Sequence, residues 1–408
     1  MKNKNKILFT IKNRSVDNSS KIDYRFKVVY AIAMLSVIAE HCRGKGSLEL
    51  NIQGWFNYSS YHMPLFMFAA GYFFKEKYVN SPCDYILRKF KKLIMPIYLY
   101  NFIYGFYIQF LKTKGFKNNI RPFSFRIIFI EPLSGEGFKP ITPSWFSSSL
   151  FFFEIYNVLK RKIISILRVN LNESTYFIID IVLSSMSVTY SNKGYNKKDL
   201  YMQLFRFLHL NVYYELGIFY NKFLEKYIYK ITSDIYFCII FIIKLGFYLY
   251  YSKELAFHYG KSNYFKNSPH TVIIISFLGI AFWLRISEIL EPIFGKDKYI
   301  NLIADNTFSI MINHSLALDI IRTIFSLISK NTRYCKDFNF NRYYGMDARY
   351  IYIPKNIVQT GIIYFLSCLV IPIIIQKIIN TTKKQINERF LNLKINYSKI
   401  GNGELISI

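Results

Sequence analysis

Apolar stretches long enough to cross a bilayer recur along most of the chain, from Val28 to Ile379, and short basic loops separate them. A helix needs roughly 20 apolar residues to span a hydrocarbon core of about 30 Å. A soluble chain of 408 residues would instead divide into domains joined by polar linkers. The sequence therefore predicts one all-α integral membrane domain, a bundle of about ten transmembrane helices.

The predicted spans are placed by length and polarity. They are centred near Met34, Phe66, Tyr100, Phe152, Val182, Leu210, Phe241, Leu278, Ile312 and Cys368. Lys and Arg concentrate in the first 27 residues, in alternate loops and in the last 30 residues, which favours a cytoplasmic position for both termini. The predicted organisation is a basic arm at 1–26, a membrane domain at 27–380 and a tail at 381–408. The polar start predicts that the first span acts as an uncleaved signal anchor.

The formal net charge of +28 could indicate a nucleic-acid partner. The basic residues nevertheless lie in loops and tails between apolar stretches, where membrane anchoring and topology explain them, so no nucleic-acid partner is predicted. The five cysteines show no CxxC spacing and no Cys/His ligand set, so neither a metal site nor a disulfide framework is predicted.

His41 is the leading candidate for chemistry because it closes the first apolar stretch, at the predicted outer end of that span. An ionisable side chain is costly within a membrane, and an imidazole can act as a general base near neutral pH. Glu40 could orient His41, although consecutive helical residues point about 100° apart, so a direct pair requires the helix to unwind at Cys42.

Four further residues are predicted to lie in the same outer half of the membrane: His62, Trp145, Asn313 and His314. Three of them have a structural alternative. His62 could be an interfacial or packing residue, and Asn313 and His314 could form hydrogen bonds between helices.

A basic cluster precedes the third span and contains Arg88, Lys91 and Lys92. Arg88 and Lys91 are three residues apart, so both could face one anionic ligand such as a phosphate. Basic residues also flank cytoplasmic helix ends as topology signals, and both interpretations stay open. The chain has no GxSxG elbow, Walker loop or HExxH helix in a suitable context, which argues against many hydrolases, ATPases and metalloproteases.

Taken in order, four features resemble the acyltransferase 3 family of bacterial membrane O-acyltransferases. They are AIAMLSVIAEH ending at His41; YHMPLFMFAAGYFF from Tyr61, with Ala70 where serine is common; RKFKKLIMP from Arg88; and SWF from Ser144 together with NTFSIMINH from Asn306. The resemblance covers Lys27 to Ile379. The chain departs from the family at the start of span one, where many members carry an acidic residue and an arginine and we read Lys27 and Tyr30. A second departure is Lys91, which stands where a second arginine is frequent.

The resemblance implies a stand-alone enzyme of the bacterial cytoplasmic membrane. It would move an acyl group, usually acetyl, from acyl-CoA to a hydroxyl of a cell-envelope or exported polysaccharide, or of a lipid-linked saccharide, beside polysaccharide synthesis machinery. No permanently bound cofactor is expected. His41, His314 and Glu40 would be catalytic; Arg88, Lys91 and Lys92 would hold the acyl-CoA; and His62, Trp145 and Asn313 would contact the acceptor. A polysaccharide or lipid-linked sugar exporter is the alternative, in which intramembrane ionisable residues line a path.

Overall fold

The computed structural model describes residues 22–42, 55–118, 120–195, 199–251, 268–347, 350–354 and 360–401. Within these ranges every regular element is helical and no β-strand occurs. The helices of eight or more residues are α1 Tyr24–His41, α2 Tyr58–Tyr72, α3 Pro82–Thr113, α4 Ser144–Ile166, α5 Glu173–Asn192, α6 Asp199–Phe219, α7 Ser233–Tyr251, α8 Pro269–Phe294, α9 Lys298–Asp305, α10 Thr307–Asn331 and α11 Thr360–Gly401. A π-helical turn at Phe90–Ile94 lies inside α3, and another at Tyr220–Leu224 follows α6.

Five helices are long and apolar enough to cross a membrane among the residues described: α3, α7, α8, α10 and α11. This confirms the all-helical class and several membrane-grade helices. Every predicted span centre lies within a helix, because a long apolar stretch must satisfy its backbone polar groups internally in lipid. The number of ten spans and the cytoplasmic position of both termini stay predictions.

The chain divides into two compact units, each assembled from discontinuous stretches. The first comprises Met1–Val29, Gln53–Lys75 and Val169–Asp297, and the second comprises Tyr30–Ile52, Glu76–Arg168 and Lys298–Ile408. The first unit therefore contains α2, α5, α6, α7 and α8, and the second contains α3, α4, α9, α10 and α11. The boundary falls inside α1.

In the first unit, α2 packs closely against α6 because glycines allow their backbones to approach. A Cβ atom on Gly71 would lie 1.9 Å from the carbonyl oxygen of Tyr214, and one on Gly217 would lie 2.1 Å from that of Phe68. Small residues permit this kind of contact between membrane helices. The glycines therefore fix the distance between α2 and α6.

In the second unit, the long segment between α3 and α4 is folded against the helices. It contains a π-helical turn at Arg126–Ile130 and two short 3₁₀ helices, Glu131–Ser134 and Lys139–Ile141. The buried side chain of Asn101 in α3 holds it by donating to the carbonyl of Ile127 at 2.8 Å and accepting from the N–H of Phe138 at 3.0 Å. This segment is thus a packed part of the unit.

The second long segment, between α10 and α11, is rich in aromatic residues. Its rings mainly pack on one another, forming a buried cluster of Phe338, Tyr343, Tyr350 and Tyr352. Tyr334 is exposed.

Two helices extend beyond the predicted limits of the membrane domain, and those limits stay predictions. α1 begins at Tyr24, three residues before the predicted membrane domain, and α11 continues to Gly401, well past residue 381.

Candidate active site

His41 and His314 lie side by side in the second unit. Their ring centroids are 4.8 Å apart, and the ring planes are inclined by 42°. His41 is the last residue of α1 and is exposed, whereas His314, two turns into α10, is completely buried. The sequence predicted that both lie in one half of the membrane, and the structure brings them into contact.

The hydrogen bond at Nδ1 determines which nitrogen of His314 can act as an acceptor. Nδ1 lies 3.1 Å from the carbonyl oxygen of Ile310, and a carbonyl can only accept, so Nδ1 carries the proton. In the neutral ring Nε2 then bears the lone pair. This Nε2 atom is buried and has no hydrogen-bonding partner among the described residues. Such a nitrogen is available to a neighbouring hydrogen-bond donor.

Asn313, next to His314, is used for packing. Its Oδ1 accepts from the hydroxyl of Tyr104 in α3, and its Nδ2 donates to the carbonyl oxygen of Ser309 at 2.9 Å and to the hydroxyl of Ser309 at 3.1 Å. The Ser309 hydroxyl donates in turn to the carbonyl of Pro372 in α11 at 2.8 Å. This network ties α3, α10 and α11 together beside His314, as the interhelical alternative predicted.

Glu40 and His41 both belong to α1, which continues through them. The N–H of Cys42 still donates to the carbonyl of Ile38 at 2.9 Å, so the helical bonding pattern extends beyond His41. The side chains of Glu40 and His41 therefore leave the helix about 100° apart. The condition for a direct pair, unwinding at Cys42, is not met.

Trp145 and His62, the two other residues expected to contact the acceptor, both lie near the start of a helix. Trp145 lies half-buried in the first turn of α4, where its carbonyl accepts from the hydroxyl of Ser149 at 2.7 Å. His62 lies in α2 of the first unit, is buried, and hydrogen-bonds through Nδ1 to the carbonyl of Tyr58.

The predicted basic cluster lies at the π-helical turn of α3. Arg88, Lys91 and Lys92 are all exposed, and the Nε atom of Arg88 donates to the carbonyl of Asp84 at 3.3 Å. The cluster also contains Lys89, whose Nζ lies 2.6 Å from Oε1 of Glu154 in α4, a pairing that the sequence did not predict. The Glu154 side chain is only 5% exposed, so this ion pair anchors the basic turn to α4. A glutamate within the apolar FFFEIY segment is the sequence signal that could have identified it.

The basic turn is linked to α1 through Glu154, which pairs with Lys89 and interacts electrostatically with Tyr30. Tyr30 lies eleven residues before His41 in the same helix, about 16 Å along its axis at a rise of 1.5 Å per residue.

A protein-family model described as an acyltransferase domain matches residues 24–377, nearly the whole chain. The chain belongs to the acyltransferase 3 family. No curated protein and no solved structure matches the chain. Membership confirms the resemblance and supports membrane acyl transfer in general.

Two polar residues lie at the start of α1, before the long apolar run. Asp23 lies just before the helix and Arg25 lies in its first turn.

Arg25 is almost fully buried in the first unit and is surrounded by acids. Its guanidinium lies 3.2 Å from Asp23, 2.8 Å from Glu225 and 3.1 Å from Glu288, measured between the nearest nitrogen and oxygen atoms. It also donates to the hydroxyl of Tyr72 at 2.9 Å. Several carboxylates around one arginine offset the cost of burying the charge. In this acyltransferase, Arg25 therefore fixes the beginning of the helix that ends at His41.

Proposed function

We propose that this protein is an integral membrane O-acyltransferase that moves an acyl group, in the first instance acetyl, from acyl-CoA to a hydroxyl of a cell-envelope or exported polysaccharide. The observation that carries the proposal is the pair of histidines, His41 and His314, in a chain of the acyltransferase 3 family. The proposed location is the bacterial cytoplasmic membrane, beside polysaccharide synthesis machinery.

His41 is proposed as the general base. Its exposed ring can meet a sugar hydroxyl, remove its proton and so let the oxygen attack the thioester carbonyl. The carbon–sulfur bond then breaks, and the proton passes from His41 to the departing thiolate, which leaves as the CoA thiol. Oxygen gains the acyl group, sulfur gains the proton, and the histidine is regenerated.

Arg88, Lys91 and Lys92 are proposed to bind the phosphates of the donor. Three exposed cations on one helical turn can contact several phosphate oxygens, and arginine can do so through two parallel hydrogen bonds. The Lys89–Glu154 pair supports this proposal because it holds the turn in place without using the exposed cations.

The decisive experiment replaces His41 by Ala in the full chain and follows labelled acetyl-CoA into surface polysaccharide. We expect acylation to fall by about 10²–10⁴-fold, the usual contribution of a general base. The matched control is His270→Ala, since His270 is an exposed histidine at the start of α8. Both variants must accumulate in the membrane at the level of the parent protein.

Unchanged acylation in His41→Ala would remove the proposal. If the protein instead exports polysaccharide or a lipid-linked sugar, His41→Ala should leave acylation normal and should remove glycan from the cell surface.

A further inference from the structure

A polar pocket lies at the boundary between the apolar and polar parts of α11 in the second unit. Its volume is about 370 Å³. The side chains that could contact a ligand there are Asn306, Lys377, Asn380, Thr381 and Lys384. They provide two positive charges, two amides and a hydroxyl, and no carboxylate lines this pocket.

The ammonium groups of the two lysines form at most one weak ion pair with described residues of the chain. Lys377 forms no ion pair within the part of the chain that the structure describes. Lys384 lies 3.9 Å from Glu388, and both of those side chains are largely exposed. An exposed pair at this distance contributes little, so Lys384 can exchange it for a stronger partner.

The neutral side chains add donors. Asn380 accepts from Gln376 through Oδ1 at 2.8 Å, which leaves its NH₂ group as a donor. Ammonium, amide N–H and hydroxyl donors around a net positive pocket recognise an oxyanion, and a phosphate group offers the matching acceptor oxygens.

The residues around the pocket indicate its position relative to the membrane, and that position indicates the source of the ligand. Apolar Leu302 and Ile373 complete its lining, and α9, which carries Leu302, also exposes Tyr299. Exposed apolar and aromatic residues on a short helix beside basic residues are typical of the membrane–water interface. Phosphate groups are concentrated at that level.

We propose that this pocket binds a phosphate group presented at the membrane surface. Two molecules carry that chemistry there: an anionic phospholipid, through its headgroup, and the acyl-CoA donor, through its phosphates. The second source rests on the proposed function, whereas the first does not. Binding of either source would hold α9 against α11.

The test compares Lys377→Gln/Lys384→Gln with Lys383→Gln in the purified full chain. Lys383 is the matched control, because it is exposed on the same turn of α11 but does not line the pocket. The first arm titrates each protein with phosphatidylglycerol and counts bound lipids by native mass spectrometry, with diacylglycerol as the phosphate-free lipid. The second arm measures the equilibrium binding of coenzyme A.

We expect the double variant to lose about tenfold or more in affinity for one phosphate ligand, since each interfacial lysine contributes a substantial part of such binding. Loss confined to phosphatidylglycerol identifies the lipid, and loss confined to coenzyme A identifies the donor. Both outcomes require Lys383→Gln to bind as the parent does. Equal binding by all proteins, or an equal loss in Lys383→Gln, overturns the proposal.

The binding test can be interpreted even if the proposed acyl transfer is wrong or the double variant folds poorly. The phosphatidylglycerol arm needs no catalysis, so it remains informative if the proposed acyl transfer is wrong. Both lysines are exposed, and the single variants Lys377→Gln and Lys384→Gln give the same comparison if the double variant folds poorly.

Discussion

A buried ion pair joins the segment after α3 to α10, and its removal is expected to destabilise the second unit. The Nζ atom of Lys117 lies 2.9 Å from Oδ1 of Asp319, and these side chains are 1% and 8% exposed. Lys117 also lies 3.7 Å from the ring centroid of Tyr343. Burial lowers the pKa of the Lys117 ammonium, and Asp319 opposes that shift. The two charges therefore depend on each other.

The expected loss in the free energy of unfolding depends on which buried charge each variant leaves unpaired. Lys117→Met leaves a buried carboxylate without its cation, which costs about 3–5 kcal/mol. The hydroxyl of Tyr107 still donates to Asp319 at 3.2 Å. This bond offsets about 1 kcal/mol, so we expect a loss of about 2–4 kcal/mol. The apolar double variant, Lys117→Met/Asp319→Leu, leaves no unpaired charge and should recover most of this loss.

The assay is unfolding of the purified full chain in detergent, with the double-mutant cycle giving the coupling between the two residues. Arg342 and Asp347 provide the control, because this pair in the segment between α10 and α11 is 2.6 Å apart but 48% and 36% exposed. Arg342→Gln should cost less than about 1 kcal/mol. The reasoning fails if Lys117→Met costs no more than Arg342→Gln, or if the double variant is as unstable as the sum of its single changes.

Three other outcomes are expected from the packing of the helices. Glu154→Gln removes the charge that anchors Lys89, so it should raise KM for acyl-CoA more than it lowers kcat; an unchanged KM in a titration with labelled donor contradicts this. Gly71→Ala should cost at least about 1–3 kcal/mol by overpacking, while Gly246→Ala, whose Cβ would meet nothing within 4 Å, should be neutral or stabilising in the same unfolding assay. Asn313→Ala should lower the melting temperature by leaving a buried hydroxyl unpaired at a cost of about 1–3 kcal/mol, and unaltered melting would show that the network is dispensable.

The positions of the helices were predictable because a single physical requirement determines them. A long apolar stretch in lipid must satisfy its own backbone, so each such stretch marks a helix. Helix ends were harder to predict, because they depend on polar residues that pair with distant parts of the chain. Arg25 shows this: it belongs to α1 although it precedes the apolar run, and Glu225 and Glu288 are among its partners.

The candidate site was predictable in part for the same reason. Reasoning about span direction placed His41 and His314 in one half of the membrane, and the structure places their rings in contact. It could not identify the Lys89–Glu154 pair, because these residues are separated by 65 positions and their meeting depends on how α3 and α4 pack. Local spacing within the basic cluster instead pointed to Arg88.

The difference in burial between the two histidines assigns them different roles in the proposed reaction. A sugar hydroxyl arriving from outside the fold can meet the exposed ring of His41, whereas His314 is enclosed and its Nδ1 is committed to Ile310. Proton transfer requires a lone pair within hydrogen-bonding reach of the hydroxyl, which favours His41 as the base. His314 then acts through its contact with that ring, because a fixed neighbour restricts the orientations that His41 can adopt. We therefore infer that His314 positions the base and that His41 carries the proton.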